Sequence, residues 1–213
     1  MKDITLSELY QIMHATAGPS GWWPANSKEE ILLGAILVQN TNWQNAARSL
    51  ANIKAVTEFH PKKLAALSRE QLKELIRPSG FYENKSRAID EFLEKLAAWE
   101  FDYDAIRKAS GTGLRDELLA FHGIGPETAD VLRLYVFDQV AFVADSYARR
   151  LFTQLGREDF PTYASLAKRV TLAGFSLEAA QDFHGQIDEF GKRYLQGKQR
   201  FEQSFLKDYR LLL

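Results

Sequence analysis

The chain contains no cysteine. Without thiols there can be no disulfide, no thiolate nucleophile, and no cysteine-ligated zinc site or iron–sulfur cluster. The four histidines, His14, His60, His122 and His184, show no metal-binding spacing of the H-E-x-x-H kind, so no metal site is expected. No apolar run approaches the ~20 residues that span a bilayer. The start, Met1-Lys2-Asp3-Ile4-Thr5, lacks the charged-then-apolar pattern of a signal peptide. Together these absences predict a soluble, cytoplasmic protein with no membrane partner. A basic surplus is missing too, since the net charge is −1. Binders of nucleic acid usually carry such a surplus, yet a near-neutral chain can bind if its charges segregate onto one face. Candidate groups are Arg77, Lys85 and Arg87, then Arg149 and Arg150, then Lys192, Arg193, Lys198 and Arg200. Each of these is also readable as a solvated helix face, so charge alone decides nothing.

What is present is a core and a helical rhythm. Hydrophobic residues make up 46% of the 213 positions, enough to bury a core in one domain or two small lobes. Leu6, Leu9, Tyr10 and Met13 have helical spacing, with Thr5 or Ser7 as cap, and Gly18-Pro19-Ser20-Gly21 ends that helix. Further helices are predicted at 28–38, 43–53, 61–66, 68–76, 84–99, 113–121, 126–137, 146–155, 163–172 and 177–195. The short apolar run Val140–Val143 reads as a buried connection and no strand is expected. The fold class is therefore all-α, short helices joined by tight turns.

The richest local signal is Phe121-His122-Gly123-Ile124-Gly125-Pro126-Glu127-Thr128-Ala129. Gly123 and Gly125 permit a tight hairpin, and Pro126 suits the first turn of the next helix, where a missing N–H costs nothing. Such a hairpin aims backbone N–H groups and a helix N-terminus at one point, a site for a phosphate-sized anion. Asp145, in Val143-Ala144-Asp145-Ser146-Tyr147, follows at a distance that suits a carboxylate working beside a held backbone. Taken alone, a G-x-G turn is also a common helix–turn–helix connection, and a lone Asp is also a common helix cap.

Several blocks in order resolve that ambiguity. The hairpin and the Asp145 segment resemble the helix–hairpin–helix DNA glycosylase superfamily, endonuclease III-like, in which L-P-G-V-G-x-K-T-A is followed by V-D-T-H. Leu33–Thr41 and Gly80–Ser86 fit the same family. Trp22-Trp23-Pro24, Gln39-Asn40-Thr41, Arg77–Tyr82 and Phe183–Phe190 are similar to its 3-methyladenine DNA glycosylase III group, which extends the resemblance to Lys192. The departures are informative. Glu127 stands at the family's catalytic lysine and cannot form a Schiff base. Tyr147 replaces a histidine, and the cluster-binding cysteines of endonuclease III are absent.

The resemblance implies a two-lobed fold with a cleft between lobes and no iron–sulfur cluster. One lobe would be a helical bundle over residues 22–138, with the helix–hairpin–helix at about 114–137. The other would combine residues 1–21 with 139–213 and carry Asp145. The implied activity is base-excision repair: a monofunctional glycosylase that flips an alkylated base, 3-methyladenine foremost, from double-stranded DNA and hydrolyses its N-glycosidic bond. Asp145 would be catalytic, stabilising an oxocarbenium-like sugar. Trp22, Trp23, Pro24, Trp43 and Lys192 would form the base pocket, where indole faces attract a cationic base by roughly 0.5–2 kcal/mol. Gly123, Ile124 and Gly125 would hold phosphate, while Gln39 and Phe81 would enter the opened base step. Phe81 is equally readable as a core aromatic. A monovalent cation at the hairpin carbonyls is implied as well, and the protein is expected to act as a monomer. The alternatives are an endonuclease III-like glycosylase with AP lyase activity, or a non-catalytic helix–hairpin–helix DNA-binding protein.

Overall fold

The computed structural model describes residues 1–21, 23–156, 160–196 and 200–213. In chain order, β1 (Lys2–Ile4) and α1 (Leu6–Ala17) are followed by α2 (Lys28–Leu37), α3 (Trp43–Thr57), α4 (Pro61–Ala65) and α5 (Arg69–Ile76). Then come α6 (Tyr82–Ala98), α7 (Tyr103–Ser110), α8 (Leu114–Leu119) and α9 (Pro126–Tyr135). The chain continues through α10 (Ser146–Leu155), α11 (Tyr163–Ala167) and α12 (Leu177–Tyr194) to β2 (Tyr209–Leu211). It divides into two compact units, one of residues 25–139 and one that joins 1–24 to 140–213. No helix among the described residues is long and apolar enough to cross a membrane.

The continuous unit is built around α2. Its sequence, Lys28-Glu29-Glu30-Ile31-Leu32-Leu33-Gly34-Ala35-Ile36-Leu37, has no polar stripe after the first turn, and Leu32 through Leu37 are all buried. A helix that is apolar all round must be enclosed, and α2 packs against α3, α6 and α9. Ser27 caps its start by accepting the Glu30 N–H, and Glu29 and Glu30 lie at the positive end of the helix dipole. Helices α8 and α9 pack together across the hairpin. They are stitched by Asp130, which is buried and accepts both Arg115 Nε at 2.9 Å and Arg115 NH2 at 3.1 Å, with Arg133 NH1 at 2.8 Å. Two guanidiniums around one carboxylate are what make its burial tolerable.

The discontinuous unit is organised by α12, which packs against α1 and α10. The Thr5 capping box starts α1, with Thr5 Oγ1 accepting the Glu8 N–H and Glu8 accepting the Thr5 N–H. Tyr10, Phe175 and Phe183 form an aromatic cluster with ring centroids 5.6–5.8 Å apart. The ends of the chain meet in a parallel two-stranded sheet, with Asp3 opposite Arg210 and their side chains ion-paired at 2.8 Å.

The fold is helical as expected, with three departures from the sequence reading. β1 and β2 are real strands, but each has only three residues, too few to show alternation, and each pairs with a segment at the far end of the sequence. Helix α7 was not expected; it buries only Tyr103 and Ile106 and depends on an Asp102 cap. Lys85, read above as part of a basic face, is 4% exposed and lies inside the continuous unit.

A close approach between α10 and α12 gives a direct test of packing. A Cβ on Gly191 would fall within the van der Waals radii of Cγ and Cδ1 of Tyr147. Gly191→Ala should therefore destabilise the protein by about 1–3 kcal/mol in urea unfolding, the usual cost of overpacking. Adding Tyr147→Ala, which removes those two contacts, should recover part of the loss. An unchanged midpoint for Gly191→Ala would show that this contact does not constrain the two helices.

Candidate functional site

In the continuous unit the hairpin has the predicted form. Gly123 adopts φ +73°, a left-handed conformation that favours glycine, and Gly125 is the extended N-cap residue of α9 with Pro126 in the first turn. Ile124 is buried under the turn and Gly123 is exposed. Two hairpin N–H groups are already engaged: His122 donates to Glu91 Oε2 at 3.0 Å and Ile124 donates to the Phe121 carbonyl at 3.3 Å. An anion here would be met by the N-terminal turn of α9 and the flanking glycine amides rather than by every N–H of the turn. Glu127 is exposed in that first helical turn.

Two further turns of the same unit carry Gln39 and Phe81. Gln39 follows α2, and its Nε2 donates to Thr128 Oγ1 at 2.9 Å, a partner on α9 that no local pattern pointed to. Phe81 precedes α6 and is 64% exposed, which excludes a core role. Its backbone is left-handed, φ +47°, as is that of Asn40, φ +52°. Non-glycine residues in this region cost ~1–2 kcal/mol each, so both turns are held by their surroundings. The holding group is Lys85, whose Nζ donates to the Leu37 carbonyl at 2.8 Å and the Ser79 carbonyl at 2.8 Å. Trp43 opens α3 behind an Asn42 cap and is 46% exposed, so it is not a core tryptophan.

The discontinuous unit places Asp145 at the N-cap of α10, where Oδ1 accepts the Ala148 N–H at 2.7 Å. The other oxygen, Oδ2, lies 3.7 Å from Nε2 of His184. His184, Asp188 and Lys192 succeed one another at four-residue spacing along α12, so they share one face. Lys192 Nζ is 2.5 Å from Asp188 Oδ2 and 2.9 Å from Glu189 Oε1. Burial pushes the Asp188 carboxyl above its ordinary range, with the nearby Asp145 charge acting in the same direction against Lys192. Burial works against the Lys192 ammonium, but its hydrogen bonds to Asp188 and Glu189 outweigh this and hold it above the ordinary value. Lys192, expected in the base pocket, is thus ion-paired to two carboxylates. Asp188 was not singled out from sequence, although its spacing between His184 and Lys192 was readable.

Trp23 is half-buried and Pro24 exposed, in the segment leading out of α1. Trp22 and Lys198 lie outside the described residues. That segment is tied to α12 by Asp182, which accepts the Ser20 N–H at 2.6 Å and faces His14 Nδ1 at 2.8 Å. Among the described residues no cluster of His, Asp and Glu side chains is arranged to hold a metal ion.

Residues 33–172 match the family described as HhH-GPD superfamily base excision DNA repair protein. A Methanocaldococcus jannaschii protein named as a candidate DNA repair glycosylase is 31% identical over 206 residues, covering 95% of this chain and 94% of that one. The chain belongs to the HhH-GPD superfamily. It is a DNA glycosylase of base excision repair. Among HhH-GPD relatives, an endonuclease III from Thermotoga maritima is 27% identical over 202 residues, covering 88% of this chain and 86% of the relative. The crystal structure of the H. pylori 3-methyladenine DNA glycosylase MagIII bound to 1,N6-ethenoadenine superposes with a TM-score of 0.70 at 27% identity. That match covers 89% of this chain and 98% of the H. pylori protein.

The buried Lys85 makes a prediction about pH. Burial brings its ammonium down from 10.5 to about 8. Between those values the unfolded chain binds more protons than the folded one, so stability rises with pH across the window. Relative to Lys85→Met, the unaltered protein should gain on the order of 1–3 kcal/mol in urea unfolding between about pH 7.5 and about pH 10. A stability difference that stays flat across this range would place the Lys85 ammonium in a wetter environment.

Proposed function

We propose that this glycosylase acts alone, as a monomer, on double-stranded DNA, releasing alkylated bases, 3-methyladenine foremost, by hydrolysis and without cutting the strand. The observation that carries the reading is the match to nearly the whole length of a 3-methyladenine DNA glycosylase, together with a half-buried Asp145 fixed at the start of α10. As the bond between C1′ and the base breaks, positive charge develops on the sugar, and a preorganised carboxylate is the group suited to it. Because Oδ1 is committed to the Ala148 N–H, Oδ2 is the oxygen oriented for this work. A 3-methyladenine nucleoside is cationic and its glycosidic bond already weak, so no strong acid is needed at the leaving group. The exposed Trp43 indole supplies an aromatic face suited to such a base.

The hairpin residues Gly123, Ile124 and Gly125 are proposed to seat a backbone phosphate on the N-terminus of α9. A monovalent cation would take its ligands from the hairpin carbonyls, and would add positive charge beside that phosphate. Gln39 and Phe81 are proposed to fill the space left by the flipped base. The similarity to endonuclease III favours, as a second reading, a glycosylase that also cleaves the strand. Glu127 opposes it, because a carboxylate cannot form the sugar imine that strand cleavage requires.

Methylated duplex should yield free 3-methyladenine and intact abasic strands that break only on added alkali. Asp145→Asn should lower that release by on the order of a hundredfold or more, as for other electrostatic transition-state groups, while leaving folding and DNA affinity close to unaltered. Release at near-normal rate by the variant would move catalysis to another residue. Treatment with borohydride during turnover should trap no protein on DNA, since trapping needs a lysine imine. A stable adduct in good yield would restore the strand-cleaving reading with an amine other than one at position 127.

A further inference from the structure

The turns that carry Gln39 and Phe81 come from distant parts of the sequence, yet one buried group holds both. Leu37 lies two residues before Gln39 and Ser79 two before Phe81, and the Lys85 ammonium donates to both carbonyls at 2.8 Å. The backbone N–H of Lys85 adds a third bond, to the Phe81 carbonyl at 3.0 Å. Ser79 Oγ donates to the Ile76 carbonyl at 2.8 Å and fixes the second turn from its other side. Each turn contains a non-glycine residue in the left-handed region, Asn40 and Phe81, so neither conformation is what an isolated loop would choose. A cation suits the position because the Leu37 carbonyl ends α2, where the helix dipole is negative and the last carbonyls lack partners within the helix. At 4% exposure, Lys85 cannot serve as a phosphate contact.

We propose that Lys85 is a positioning residue that joins the Gln39 and Phe81 turns into one rigid wedge for the opened base step of duplex DNA. This rests on the reading that Gln39 and Phe81 enter the duplex. Coupled turns insert as a unit, so the ordering of one is not spent again on the other. Without the ammonium each turn would relax separately, and the gap left by the flipped base would be filled less often.

The test compares Lys85→Met with Phe81→Ala on two substrates holding one alkylated adenine: a fully paired duplex, and a bubble in which the target is already unpaired. Phe81→Ala should lose excision on the duplex and retain it on the bubble, where there is no stacked gap to fill. Lys85→Met should copy that pattern, with excision about tenfold or more lower on the duplex and within about twofold on the bubble, and with the salt dependence of binding unchanged. If Lys85→Met loses both substrates equally while Phe81→Ala is duplex-selective, the coupling is wrong and Lys85 only supports the fold. If Phe81→Ala itself shows no selectivity, the insertion reading fails and the wedge with it. Should Lys85→Met not fold, hydrogen exchange read by mass spectrometry replaces it. Adding abasic duplex to the unaltered protein should protect segments 37–41 and 79–82 together, and Phe81→Ala should weaken protection of both. A response confined to one turn would overturn the proposal.

Discussion

Enclosing α2 on all sides creates a problem that the rest of the continuous unit answers. A buried helix leaves its last carbonyls without intrahelical partners and out of reach of water, and an unsatisfied buried carbonyl is costly. Lys85 supplies a donor to Leu37, but only by bringing its own ammonium out of solvent, which is why its pKa falls to about 8. Its second bond, to Ser79, then fixes the entry into α6. The geometry of the two turns proposed to meet DNA is thus a by-product of terminating a helix inside a core. The hairpin depends on the same helix, because α9 packs on α2 and Thr128 of α9 receives the Gln39 side chain.

In the discontinuous unit the equivalent constraint is electrostatic. Asp145 caps α10, and the face of α12 presented by His184, Asp188 and Lys192 sets the charge around it. Lys192 is committed to Asp188 and Glu189, so its positive charge is largely neutralised before any substrate arrives. Asp145 Oδ2 itself faces Nε2 of His184 at 3.7 Å.

Features encoded over a few adjacent residues were legible in the sequence. The hairpin needs two glycines and a proline within four positions, and the cap of α10 needs one Asp before a helical run, so both could be read directly. Spacing along α12 was legible in principle, since residues four apart on a helix share a face whatever surrounds them. What escaped depends on burial, which is a property of the assembled core. A lysine reads as surface until its neighbours enclose it, and Lys85 is recognisable only once the Leu37 and Ser79 carbonyls are seen beside it. Asp130 escaped for the same reason, its meaning given by Arg115 and Arg133. Phe81 shows the opposite case: an aromatic between glycine and tyrosine suits core or surface equally, and its exposure had to be observed.

The short parallel pairing of β1 with β2 has a consequence for how the molecule is made. Residues 25–139 form one uninterrupted stretch with their own core, so this unit has all its contacts available while the rest of the chain is still being synthesised. The other unit does not. Its strand β1 is synthesised before the continuous unit, and the partner of that strand, Tyr209–Leu211, only after it. Closing so long a loop onto so small a sheet is unfavourable in the absence of the intervening fold. The finished central unit shortens that loop in effect, because its own two ends meet at the Lys28–Asp138 ion pair. Asp145 and the α12 face, which follow that unit in the sequence, would then take shape after the surface proposed to grip DNA already exists.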